Sequence, residues 1–398
     1  MKKTSETYLQ NKAKVLEFIY RVRETSRIEI SKETQLTPAS ITYIVADLIK
    51  ENKIEETGDE IRDIKGSGRS RKLLTIHKSN NLLIGLEINM KGIFLSVTNA
   101  IGEVQSIDKI EDSAYAIEEI NETILSMIHK AIDDYPENLI THIGLAIPGH
   151  FDPEHQTIIS NNMRWRYFNL KEINKELSIP VVIENNIECM ALSEYLFNSQ
   201  KSPENFLFFH VGHGLFCSYF QANKIERKEN YYIGEIGHTV VDIHGPKCEC
   251  GKTGCLQTYI SDSWLLKNAQ FLYRHSKTSI VRSLVDSPDE ITLEVLAQGY
   301  KLRDNYLITQ IDSGLTFLAT SIANTLILHD ANKIYINSEL LKYNDFKQIL
   351  TEQIQDQLNF IPTKRNLEIE VLTFDEYRGA VGACALAALV GFIGYSKF

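Results

Sequence analysis

Three of the six cysteines fall within eight residues, in Lys247-Cys-Glu-Cys-Gly-Lys-Thr-Gly-Cys255. With His238 they read H-x9-C-x-C-x4-C, and Gly251 and Gly254 can bend the intervening loop. Three thiolates and one imidazole complete a tetrahedral zinc shell. A closed shell keeps no position for water or substrate. The expectation is therefore one structural zinc per chain, held by His238, Cys248, Cys250 and Cys255, that supports a neighbouring site and does no chemistry itself. The competing reading is three reduced structural thiols. Cys189, Cys217 and Cys384 stand in apolar contexts and read as packing residues.

A second set of residues suits contact with nucleic acid. In Thr37-Pro-Ala-Ser-Ile-Thr-Tyr-Ile-Val-Ala-Asp-Leu-Ile49, Thr37 can cap a helix and Pro38 suits its first position. Ile41, Ile44, Val45, Leu48 and Ile49 make the buried stripe. Ala39, Ser40, Thr42 and Tyr43 are left on an outward face near the helix start, where small and polar groups can meet base edges in a major groove. Downstream lies Lys65-Gly-Ser-Gly-Arg-Ser-Arg-Lys72. Its glycines let the chain lie close to a groove, and Arg69 and Arg71, with Lys72, suit a narrow, negative minor groove. The alternative for this segment is a solvated linker.

The elements that must position these residues can be read from periodicity. Lys12 to Arg23 places Val15, Phe18, Ile19 and Val22 on one helical face. Ser26-Arg-Ile-Glu29 is a capping box that opens a second helix. With the helix at 37–49 and the strand-like pieces Lys53–Glu56 and Lys72–Ile76, the first 79 residues read as a winged helix-turn-helix and linker. A helical bundle for protein contacts is the rival. From Asn81 the pattern becomes α/β. Strand candidates are Leu82–Ile88, Ile93–Val97, Leu139–Ile147, Val181–Ile183, Phe206–Val211, Ile334–Ile336 and Leu367–Leu372.

Charge supports a division of labour. The first 80 residues carry 16 Lys+Arg against 12 Asp+Glu, and the remainder 26 against 40. A mildly basic head on an acidic body fits a nucleic-acid-binding domain fused to a different module. The 43% hydrophobic and 24% charged composition argues for a sizeable core and against disorder. Met1-Lys-Lys-Thr is followed by polar residues with no apolar signal segment. The Gly- and Ala-rich run Gly379–Tyr395 falls short of a comfortable span and reads as a buried helix. The expected location is cytoplasmic, with no membrane partner; thiols there stay reduced.

Gly234-Glu-Ile-Gly-His238, followed by Gly245-Pro-Lys-Cys-Glu-Cys-Gly-Lys-Thr-Gly-Cys-Leu-Gln257, resembles the signature of the ROK family of repressors, open reading frames and kinases. Ala146-Ile-Pro-Gly149 with Asp152-Pro, and Glu184-Asn-Asn-Ile-Glu-Cys-Met-Ala-Leu-Ser-Glu194, match further family blocks. The resemblance runs from about residue 10 to the C-terminus, because sugar-responsive repressors of the family carry a winged helix-turn-helix ahead of the kinase-like body. It implies an actin-like (ribonuclease H-like), two-lobed α/β body at 80–398 with a sugar site in the cleft. Lobe one would cover about 80–186 plus 375–398, and lobe two about 187–374. By resemblance, Asn162, Asn185, Asn186, Glu235 and His238 match positions that hydrogen-bond sugar hydroxyls. Gln257 stands where the family has a glutamate and by the same resemblance is expected to join them in binding the sugar, with length kept and charge lost. His238 could give one ring nitrogen to zinc and the other to a hydroxyl.

The same resemblance argues against catalysis. Family kinases use Asn-Asp where this chain has Asn185-Asn186. An amide cannot take the hydroxyl proton, and loss of a general base costs about 10²–10⁴ in rate. The Asp-x-Gly-Gly-Thr phosphate loop is replaced by Glu87-Ile-Asn-Met-Lys-Gly92, and Gly212-His-Gly-Leu-Phe-Cys217 carries bulky groups where later glycines would lie. The Gly-Gly loop expected near adenine reads Asn337-Ser-Glu-Leu340. The chain is thus expected to be no enzyme. It would be a homodimeric or tetrameric repressor of sugar-metabolism genes that binds palindromic double-stranded operator DNA and responds to a sugar effector. The rivals are an active ATP-dependent sugar kinase with a vestigial head, and a zinc-responsive regulator.

Overall fold

The computed structural model of the protein describes residues 5–61, 71–78, 81–135, 139–226, 228, 230–361 and 367–395, without the side chains of 58–61 and 71. In chain order the head contains α1 (Glu6–Val22), β1 (Glu24–Ser26), α2 (Arg27–Thr34), α3 (Pro38–Lys50), β2 (Ile54–Ile61) and β3 (Arg71–Ile76). Next come β4 (Leu82–Asn89), β5 (Gly92–Asn99), β6 (Val104–Glu111), α4 (Ile120–Asp133), β7 (Ile140–Ile147), β8 (His150–Asp152), β9 (Thr157–Ile159), α5 (Leu170–Glu176), β10 (Val181–Asn185) and α6 (Asn186–Leu196). The remainder holds β11 (Asn205–Val211), β12 (Leu215–Gln221), α7 (Gln257–Ile260), α8 (Asp262–His275), α9 (Val281–Leu284) and α10 (Leu293–Lys301). It ends with α11 (Asn305–Leu328), β13 (Lys333–Ser338), α12 (Asn344–Leu358), β14 (Glu368–Val371) and α13 (Arg378–Ala387).

Local chemistry explains the head. Ser26 Oγ accepts from Glu29 N–H and the Glu29 carboxylate accepts from Ser26 N–H, so the capping box starts α2 as expected. Thr37 Oγ1 accepts from Ser40 N–H and Pro38 occupies the first turn of α3. Ile41, Ile44, Val45 and Leu48 are buried and Ile49 is half-buried. Helix α1 starts six residues before the expected Lys12, because Ser5 caps it by accepting from Tyr8 N–H. The sheet runs β1-β3-β2 and is antiparallel throughout, with Ile61 opposite Arg71 at the described ends of the wing.

Contacts divide the chain into two compact units, Met1–Ser202 with Ile225–Arg227 and Glu376–Phe398, and Pro203–Lys224 with Lys228–Asp375. The first unit therefore joins the head to lobe one. Its body sheet has the order β10-β7-β4-β5-β6, with β4–β5–β6 antiparallel and β4–β7–β10 parallel. Helix α13 lies across this sheet. A Cβ at Gly85 would collide with the Ala380 carbonyl, and one at Gly144 with that of Ala383. The Gly/Ala-rich run is thus a close-packed helix, buried almost throughout, as its composition suggests. Helix α6 packs on α13, which puts the boundary between units at Ser202/Pro203 where the family pattern suggested 186/187.

The head is bonded to this same unit. Arg23 Nη2 donates to the carbonyls of Leu196 at 3.1 Å and Phe197 at 2.8 Å, at the carboxyl end of α6. Tyr195 Oη donates to Glu17 at 2.8 Å, Ser199 Oγ to Arg21 O at 2.6 Å, and Lys53 Nζ to Phe392 O at 2.6 Å. Tyr20 bonds the Ala100 carbonyl and its ring packs against Phe197 and Phe392.

In the second unit the sheet order is β12-β11-β13-β14, with β11–β12 antiparallel and the other pairs parallel. Helices α11 and α12 pack together over its core. Among the described residues α11 alone is long and apolar enough to cross a membrane. Leu307, Ile311, Leu315, Leu318 and Ile322 bury one side of it in the core. The architecture is a winged helix-turn-helix followed by an actin-like, ribonuclease H-like body, the fold class that the family blocks implied.

Candidate functional site

The outward face of α3 carries Ala39, Thr42 and Tyr43 exposed and Ser40 half-buried, with Tyr43 69% exposed. Thr42 Oγ1 donates to Pro38 O at 2.9 Å, and Ser40 Oγ shares a hydrogen with Thr37 Oγ1 at 2.9 Å. Their lone pairs, the Ala39 methyl and the Tyr43 phenol are what this face offers. Lys72 is exposed but bonds Glu56 Oε2 at 2.7 Å, while Arg27 holds Glu56 Oε1 at 2.9 Å. Lys72, then Arg27, holds the Glu56 carboxyl below the usual carboxylate range. Such solvent-accessible pairs contribute little to stability. Arg69 lies outside the described residues. Arg71 sits in β3 opposite Ile61, and its side chain is likewise outside the description.

Sequence reasoning missed Tyr8 and Lys12. Tyr8 Oη donates to Asp47 Oδ2 at 2.8 Å, and Lys12 Nζ lies 2.6 Å from both Asp47 Oδ2 and Glu51 Oε1. Lys12 and Tyr8 together hold Asp47 below the usual carboxylate range. No spacing rule links Tyr8 to a residue 39 positions away.

The residues matched to sugar hydroxyls fall into two sets. In the first unit, Asn185 is buried and caps α6: its Oδ1 accepts from Ile187 and Glu188 N–H, and its Nδ2 donates to Gly149 O at 2.7 Å. Asn186 Nδ2 donates to Glu87 Oε1 at 3.0 Å. The Asn186 carbonyl oxygen is thereby the group left to accept from a hydroxyl. Glu87 is 3% exposed, and burial pushes its carboxyl up to about 7 against the opposing bonds from Asn186 and Asn89. Asn162 is exposed; its Oδ1 caps the 3₁₀ turn at Arg164 N–H and its Nδ2 lies 3.4 Å from Met90 Sδ.

In the second unit, Glu235 is half-buried at the start of the 3₁₀ turn Ile236–His238. Gln257 is buried, and its Nε2 lies 3.3 Å from Cys248 Sγ and 3.1 Å from Glu249 Oε1. This amide therefore turns toward the cysteine loop. His238, Cys248, Cys250 and Cys255 present ligand atoms all within 4.8 Å of one another. Cys250 and Cys255 sulfurs are 3.7 Å apart, as are Cys248 Sγ and His238 Nδ1. Sulfurs ~2.3 Å from a tetrahedral ion lie ~3.8 Å apart, so the donor set fits a metal ion. The glycines act as expected: Gly251 and Gly254 have positive φ, and a Cβ at Gly254 would strike Asp242 O. Because Nδ1 faces the sulfurs, Nε2 of His238 is the ring atom left for another partner.

The loops compared with ATP loops are partly strand. Leu215, Phe216 and Cys217 are buried in β12, and Asn337 and Ser338 are buried at the end of β13, with Asn337 Nδ2 3.0 Å from His210 Nδ1.

Residues 83–389 match the model of the ROK family. The chain is 27% identical over 399 residues to the xylose repressor of Caldicellulosiruptor bescii, covering 98% of this chain and 97% of that one. A crystal structure of a ROK family transcriptional regulator, a homolog of the Escherichia coli MLC protein, superposes with a TM-score of 0.74 at 22% identity, over 97% of this chain and 98% of that chain. A ROK glucokinase of Streptomyces griseus, solved with glucose and AMPPNP, gives a TM-score of 0.63 at 22% identity, over 77% of this chain and 99% of that chain. With 307 consecutive positions spanned by the family model, the chain belongs to the ROK family.

Proposed function

We propose that the protein is a sequence-specific DNA-binding transcriptional repressor of sugar-metabolism genes, controlled by a sugar or sugar derivative bound to a catalytically inactive, kinase-like body. One observation carries the reading. The exposed face of α3 stands on a head that is bonded to the carboxyl end of α6, while Asn185 and Asn186 stand at the amino end of the same helix. An effector held there has a short path to the head, and shifts DNA affinity as far as it binds one state better than the other. The likeness to a xylose repressor makes D-xylose the first sugar to test.

In this reading α3 enters the major groove with Ala39, Ser40, Thr42 and Tyr43, and Arg69 and Arg71 enter the adjacent minor groove beside Lys72. Two heads of a homodimer or tetramer meet a palindromic operator. The protein works in the cytoplasm on nucleoid DNA. Tyr43→Ala should weaken operator binding while sparing random DNA, and Arg71→Ala should also flatten the salt dependence. Equal loss on operator and random DNA for Tyr43→Ala, measured by titration at several salt concentrations, contradicts the docking.

Asn186 at the base position and the buried strand residues at 215–217 and 337–338 support the loss of phosphoryl transfer. Turnover of any common sugar with Mg-ATP in a coupled assay would reverse this part. The metal is a structural zinc, supported by the closed Cys3His donor set. Chelation should lower the thermal midpoint of the body along with DNA binding. Operator release with an unchanged melting curve would favour a zinc sensor instead.

A further inference from the structure

Tyr43 and Asp47 are one turn apart on α3, and Glu51, four residues further on, caps its carboxyl end. Two carboxylates beside a face offered to phosphates would repel DNA. Helix α1 engages both. Lys12 Nζ lies 2.6 Å from each, and Tyr8 Oη donates to Asp47 Oδ2 at 2.8 Å. The Tyr8 ring also meets the Tyr43 ring edge on, with centroids 5.7 Å apart and planes at 65°. The core does not require this arrangement. The buried stripe of α3 is Ile41, Ile44, Val45 and Leu48, whereas Tyr43 is exposed and Tyr8 and Asp47 are half-buried. The Lys12 ion pair and the Tyr8 hydrogen bond thus meet at Asp47, and the Tyr8 ring held there makes the contact with the exposed Tyr43.

We propose that Tyr8 is a specificity-determining positioning residue of the DNA interface. Its ring fixes the orientation in which Tyr43 meets base edges, and with Lys12 it keeps the Asp47 carboxylate turned to α1. This rests on the reading of α3 as the recognition helix. Tyr8 acts through Tyr43, so its removal alters which base is preferred, with little change in the sequence-independent attraction to phosphate.

The test uses the zinc-loaded full chain and a randomised duplex pool at one fixed salt concentration. Parent, Tyr43→Ala, Tyr8→Leu and Tyr8→Phe are selected in parallel, with thermal midpoint and metal content as controls for folding. Tyr43→Ala should erase the preference at one base step. Tyr8→Leu should weaken the preference at that same step and lower affinity for the selected duplex about threefold to tenfold, the range expected for an edge-to-face pair. Affinity for random duplex should change by less than about twofold. Tyr8→Phe keeps the ring and should keep the preference. A parental preference in Tyr8→Leu, beside an altered one in Tyr43→Ala, overturns the inference and leaves the recognition helix standing. Equal losses on selected and random duplex for Tyr8→Leu reduce Tyr8 to a structural residue and also overturn it. No effect of Tyr43→Ala removes the recognition-helix reading, and this inference with it.

Discussion

Glu87 buries a carboxyl group with Asn186 Nδ2 as a donor and Gly379 of α13 packed against it. Burial raises its pKa to about 7. The unfolded chain would release this proton in the ordinary carboxylate range, so between that range and about 7 the folded state holds more protons. Stability therefore falls as pH rises through this window and levels off above it. Each tenfold difference in proton affinity between the two states is worth about 1.4 kcal/mol. Glu87→Gln keeps an acceptor for Asn186 and removes the ionisation. Its thermal midpoint should vary less between about pH 5 and pH 8 than the parent's. Parallel curves for parent and variant would show that Glu87 titrates normally. At this scale the clustering of His238 with the three cysteines was legible, because the cysteines are close in sequence and their glycines mark the bend. The Glu87–Asn186 pair was not, since 99 residues separate its members and only the sheet brings them together. The family pattern marked Asn185 and Gln257 as hydroxyl ligands. It could not show that Asn185 caps α6 or that the Gln257 amide turns toward Cys248.

Helix α6 carries the head at its carboxyl end, and in the proposed function it holds the effector at its amino end. It spans eleven residues, about 16 Å. The pair between half-buried Arg378 and buried Glu194 at 2.8 Å and close packing of Gly382 on Cys189 hold it against α13. Arg23 completes its carboxyl end by donating to orphan carbonyls, a placement the helix dipole also favours. Arg23→Ala should leave those carbonyls unpaired and cost on the order of 2 kcal/mol. Hydrogen exchange should then quicken in α1–α3 more than in α4. An unchanged exchange pattern in the head would mean that the surrounding contacts, such as Tyr20 on Ala100, suffice for docking. Strands with continuous apolar runs, such as β4, β7 and β13, were legible in the sequence. Strand β6 was missed because it is a mostly exposed edge of the sheet, and β12 because Gly212 and Gly214 drew attention to a loop. Strand β1 has three residues, too few for any period.

For the whole molecule, the basic head and acidic body make an electrostatic argument. DNA is drawn to the head and repelled by the body, so a small reading surface must supply the specificity. In the proposed homodimer or tetramer, a symmetric pair of such surfaces would double the site and call for a palindrome. The central claim is that a sugar-responsive body governs this reading. The most direct measurement is selection of genomic fragments on the purified, zinc-loaded protein near physiological salt, with and without D-xylose, D-glucose and N-acetylglucosamine. The account predicts sharp enrichment of a few palindromic sites and a change in that enrichment with one of these sugars or a close relative. A folded, zinc-loaded protein that enriches no sequence under any of these conditions would contradict it.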